Sequence, residues 1–178
     1  MIIGLSIANF TILHVVITLI AIASGFVVMF GMLGSNRLPG WTAIFWLTTV
    51  LTTVTGFMFL LSPGLVKDLT PALGTGVVAT VVFLVGLLAL YAKDLIGKWR
   101  WLYALTAVVS LYLNVFVLIV QSFEKLKFLN PAAPMVGPPF AEPTMTHFAI
   151  AQGVALLFFV IVGLLAAVRF RPGLRIGV

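Results

Sequence analysis

The sequence contains no cysteine. That absence removes thiol redox chemistry, cysteine-ligated iron–sulfur clusters and disulfide staples from consideration. Charge is nearly as scarce, with ten Lys and Arg and four Asp and Glu, 8% of the chain. A soluble domain is about one-quarter charged, so this chain cannot clothe a water-facing globule. The four acids, Asp68, Asp94, Glu124 and Glu142, all fall outside the middle of any long apolar run. No basic residue falls there either. A proton relay built on an intramembrane carboxylate and an arginine-based voltage sensor both lack their working parts. Gly-rich phosphate loops, HExxH and GxSxG are missing as well.

What is present is apolar. Hydrophobic residues make up 62% of the 178, and the mean hydropathy is +1.26. Barrel strands alternate apolar and polar residues, whereas this chain has unbroken apolar runs near twenty residues. About twenty helical residues cross about 30 Å of hydrocarbon, and lipid forces the backbone to satisfy its own hydrogen bonds. The reading is an all-α polytopic membrane protein, an antiparallel bundle of about five transmembrane helices in one domain. The spans are expected at about 10–33, 41–61, 74–96, 101–123 and 146–168. Breakers separate them at Gly34–Gly40, Ser62-Pro63-Gly64 and Gly97–Arg100. The first run lacks a charged leader and is too long for a signal peptide, so it reads as a retained helix.

Basic residues are distributed unevenly. Five spans place Lys67, Lys125 and Lys127 on one side. Arg37, Lys93, Lys98, Arg100, Arg169, Arg171 and Arg175 fall on the other. Cytoplasmic loops carry the Lys and Arg excess. The expected topology therefore has a periplasmic N-terminus and a basic cytoplasmic tail, 169–178. Trp41, Trp99 and Trp101 fall at the expected cytoplasmic boundary, where interfacial indoles concentrate. The positive balance of +6 reads as topology and not as a nucleic-acid surface. The 124–145 loop holds Pro131, Pro134, Pro138, Pro139 and Pro143, which makes it extended and stiff. It is a connector, a docking surface or a lid.

Polar residues inside the spans form stripes at helical spacing. Thr11, His14, Thr18, Ala21 and Gly25 share a face of the first helix. Thr49, Thr52, Thr53 and Gly56 do so on the second. Thr106, Ser110, Asn114, Gln121 and Glu124 line one stripe of the fourth, and Gln152 lies on the fifth. Such stripes serve helix–helix seams. The candidate polar cluster is Thr18, Thr52, Asn114, Gln121, Glu124 and Gln152. His14 and His147 lie at similar expected depth on the periplasmic side and are the candidate cofactor residues. A b-type haem can be held by two histidines from different helices. No third strong ligand stands beside either, so a metal site is not expected.

The run Leu111–Phe123, LYLNVFVLIVQSF, together with Pro138-Pro139-Phe140 and Ile150-Ala151-Gln152, resembles a group of small, uncharacterised bacterial inner-membrane proteins. The resemblance covers about Leu13 to Phe170. It implies a bacterial inner membrane and carries no activity. In that group fewer residues separate the fourth helix from the Pro-Pro-Phe element.

The functional expectation is a non-enzymatic inner-membrane protein that is a subunit or accessory component of a larger assembly, or a homo-oligomer. The expected partners are the lipid bilayer and other membrane subunits. Two alternatives remain open. One is a haem- or quinone-interacting redox protein using His14 and His147. The other is a channel or carrier for a small molecule or lipid, lined by Thr52, Asn114, Gln121 and Gln152.

Overall fold

A computed structural model describes residues 1–60, 70–134, 138 and 140–172. The Ser62-Pro63-Gly64 stop, Lys67, Asp68, Pro139 and Arg175 lie outside these residues. The chain forms α1 (Ile7–Leu33), α2 (Pro39–Leu60), α3 (Thr70–Leu87) and a single π-helical turn (Leu88–Ala92). α4 (Trp99–Lys125) and α5 (Thr144–Arg169) follow. No strand occurs among the described residues. Five helices are long and apolar enough to cross a membrane. The chain is a multi-pass helical membrane protein.

The helix ends have local causes. α1 begins at Ile7 because the Ser6 hydroxyl accepts from the Asn9 N–H at 3.2 Å and caps the first turn. α2 begins at Pro39, the position where a missing N–H costs nothing. The third span was expected to reach Ile96. Instead its helix loosens into the π turn, and the chain then reverses through Asp94, Leu95 and Gly97, at φ of 47°, 60° and 59°. Leu95 tolerates that left-handed backbone with its side chain buried. α5 starts under the Glu142 carboxylate, which accepts from the Thr146 N–H at 3.3 Å and hydroxyl at 2.8 Å. A carboxylate is favoured at that helix end.

Sequential helices pair antiparallel. α1 lies on α2, α2 on α3, α3 on α4 and α4 on α5, and α1 closes the bundle against α4 and α5. The bundle has two ends. The head carries the start of α1, α3 and α5. The base carries the α1–α2 and π-turn–α4 connections and the end of α5. The hydrophobic core is confined to the base half. It comprises Ile22 to Met32 of α1, Phe45 and Trp46 of α2, and Phe83 and Ala89 of the third span. Tyr103 to Leu111 of α4 and Phe159 to Phe170 complete it. Glycine admits the neighbours there. A Cβ on Gly25 would stand 2.7 Å from Leu111 and 2.9 Å from Phe45. One on Gly86 would stand within 3 Å of both Trp46 and Thr106.

The head half is built differently. Every residue of α4 from Val115 to Ser122 is half-buried, on all faces of the helix. Its large aromatics form separate patches. Phe10 meets Phe59 edge-on at 4.9 Å between α1 and α2. Phe140 of the proline-rich segment sits between Phe123 and Phe148, at 5.9 and 5.0 Å. Asn130 fastens the same segment by donating to the Phe123 carbonyl at 3.1 Å.

Candidate functional site

Hydroxyls in an apolar helix have a local solution, which is to donate to a carbonyl of the preceding turn. Thr11, Thr18, Ser24, Thr48, Thr53, Thr55, Thr80, Thr106 and Ser122 all do so, at 2.6–3.1 Å. Thr49 and Ser110 do not. Their hydroxyls are buried and have no partner among the described residues. The Asn114 side-chain NH2 is in the same state. Each such group forfeits about 1–3 kcal/mol if nothing meets it.

The three positions lie within two adjacent turns of the bundle. Gly86 of α3 touches Trp46 of α2 and Thr106 of α4, which fixes a shared layer. α2 and α4 both run from base to head. Thr49 lies three residues beyond Trp46 and Ser110 four beyond Thr106, so both stand one turn above that layer on the same faces. Asn114 is one turn higher, level with Thr52 and Thr53. Gln121 and Glu124 continue the Thr106–Ser110–Asn114 stripe to the head. The Trp46 indole lies inside the layer, with the Tyr103 hydroxyl as its hydrogen-bonding neighbour. Below it the aromatic rings close the base. Trp46 stands 6.2 Å from Tyr103, and Tyr103 stands 5.7 Å from Phe170.

The residues singled out from the sequence are divided among separate seams. His14 and Thr18 of α1 meet Thr55 and Thr52 of α2. The Thr55 hydroxyl lies 2.7 Å from both the Leu51 carbonyl and His14 Nδ1. Thr18 donates to the His14 carbonyl at 2.8 Å and shares a 3.3 Å hydrogen bond with the Thr52 hydroxyl. Phe59 covers the His14 ring edge-on at 5.4 Å. Across the bundle, Gln152 of α5 donates to the Phe116 carbonyl of α4 at 3.2 Å, and its Oε1 is buried without a partner among the described residues. Gln121 donates to Glu124 at 2.7 Å within the last turns of α4. His147 is exposed on the first turns of α5. His14 is turned to α2, while His147 stands on α5. Among the described residues no group of three His, Asp or Glu is placed to hold a metal ion.

Thr49 and Ser110 stand in the polar stripes visible in the sequence. What sets them apart from the other hydroxyls is the unmade bond to their own helix, and that is a structural fact. No protein-family model, curated protein or solved structure matches the chain.

Proposed function

We propose that this is a non-enzymatic membrane protein that admits a small, uncharged polar solute from the head side into a blind cleft. The cleft floor is made by Thr49, Ser110 and Asn114. One observation carries the reading. Unpartnered hydrogen-bonding atoms are buried at mid-bundle where α4 passes from tight burial to half-burial on every face. Unpaired polar groups in lipid-embedded structure mark ligand or water paths. A floor of hydroxyl and amide groups, with no charged side chain at its level, suits a neutral donor–acceptor molecule. Gln121 and the head end of the Asn114 stripe form its approach. The aromatic layer of Trp46, Tyr103 and Phe170 is the barrier at the base. The Lys and Arg excess at the base supports the expectation that the head faces the periplasm of a bacterial inner membrane. Proteoliposomes containing the protein should take up glycerol- or urea-sized neutral solutes faster than empty ones, and Asn114→Leu should return uptake to the empty-vesicle rate. Equal uptake with and without the protein across such a panel would refute the reading.

A second reading concerns partners. Ala149 and Gly153, four residues apart on α5, are exposed, and a Cβ on Gly153 would meet nothing within 4 Å. Small residues let another helix approach closely. This face supports a homo-oligomer or a place in a larger membrane assembly. Gly153→Leu should then abolish cross-linked dimers seen in membranes; an unchanged cross-linking pattern counts against it.

A further inference from the structure

At the base, on the opposite side of α4 from the polar floor, α4 and α5 leave a groove of about 440 Å³. Arg100, Trp101 and Leu105 of α4 line it, with Leu164, Ala167 and Val168 of α5. Arg100 and Trp101 belong to the first turn of α4, and Val168 and Ala167 to the last turn of α5. Leu105 and Leu164 lie one turn deeper. The groove therefore begins where the helices leave the membrane and runs inward between apolar walls. Its mouth holds one charged group. The Arg100 guanidinium is half-buried, and its Nε is fully buried with no acceptor among the described residues.

The chain itself is poorly equipped to neutralise that charge. Glu124 and Glu142 are at the head. Among the described residues the base has one acid, Asp94, against Arg37, Lys93, Lys98, Arg100, Arg169 and Arg171. A second copy in the same orientation would bring the same cationic excess to the contact. A phospholipid with a negative headgroup brings the missing charge and also fills the walls with its acyl chain. Basic pockets between membrane helices hold anionic headgroups by this combination.

We propose that this groove is a binding site for one anionic phospholipid, with its phosphate on Arg100 and an acyl chain between α4 and α5. The site is separate from the polar cleft and does not depend on it. Native mass spectrometry of the full chain in detergent, titrated with phosphatidylglycerol or phosphatidylcholine of matched chains, tests it. Phosphatidylglycerol should bind about tenfold more tightly, the order of one charge-assisted hydrogen bond. Arg100→Gln should erase that preference, and Arg37→Gln, at the same end but outside the groove, should keep it. Ala167→Phe, which fills the groove, should weaken both lipids. A further readout needs no change at Arg100. Bromine on the acyl chain of phosphatidylglycerol should quench the emission that Trp101→Phe removes, and should do so more than brominated phosphatidylcholine. Equal affinity of the two lipids for the unaltered protein, a preference that survives Arg100→Gln, or equal quenching would overturn the proposal.

Discussion

The two halves of this bundle use the same five helices and similar residues, yet they are held together by different means. In the base half, glycines at 25 and 86 let Phe45, Leu111 and Trp46 interlock across three helices. In the head half, α4 is surrounded but nowhere tightly covered between Val115 and Ser122. Contacts there are local patches and single hydrogen bonds, such as His14 to Thr55 and Gln152 to Phe116. On the proposed reading, the base half is the closed end and the head half the route of access. The Thr49 and Ser110 hydroxyls and the Asn114 side-chain NH2, without partners among the described residues, sit where the two regimes meet.

The largest expected effect comes from emptying the base. Trp46→Ala removes a buried ring that touches Phe45, Tyr103 and Gly86, and should cost about 3–5 kcal/mol in detergent unfolding followed by intrinsic fluorescence. The sharper comparison uses one helix and one residue type. Leu111→Ala, in the closed half, should cost about 2–5 kcal/mol. Leu118→Ala, two turns toward the head and half-buried, should cost under about 1.5 kcal/mol because less apolar area leaves water or lipid. Equal costs would erase the distinction between the halves. Glycine substitutions probe it from the other direction. Gly86→Ala drives a methyl into Trp46 and Thr106 and should cost about 1–3 kcal/mol. Gly56→Ala, whose nearest contact would be His14 at 3.9 Å, should stay within about 0.5 kcal/mol of neutral. A comparably small effect is expected from Thr55→Val. It removes the hydrogen-bond partner of His14 Nδ1 and should cost about 0.6 kcal/mol, a typical interhelical bond in a membrane protein.

Much of the fold is legible in the amino-acid order because lipid leaves few options. Apolar runs of spanning length, cut by Gly34–Gly40 and Gly97–Arg100, are enough to read five helices. Cap chemistry explains the offsets. Ser6 starts α1 at Ile7, and the left-handed turn at Asp94, Leu95 and Gly97 stops the third span before Ile96. The candidate site was legible only in its ingredients. Helical phase puts Ser110 and Asn114 on one stripe, but phase cannot tell a hydroxyl that donates to its own helix, as Thr106 does, from one that does not. Partner choice was also hidden. Which helix His14 faces depends on how five apolar cylinders pack, and on α1, α2, α3 and α5 the apolar surface that decides it is spread nearly evenly round the helix. The anchoring of the proline-rich segment by Phe140 and Asn130 depends on two residues whose neighbours are set by the fold.

The absence of cysteine makes the central claim directly measurable, since any introduced thiol is the only one. Asn114→Cys and Thr53→Cys, in the open half, should react with a membrane-impermeant maleimide added from the head side. Leu111→Cys, in the closed half, and Val160→Cys, facing lipid, should stay unlabelled under the same conditions. If the thiols at 114 and 53 are as inert as the one at 111, the open half is sealed and the cleft does not exist.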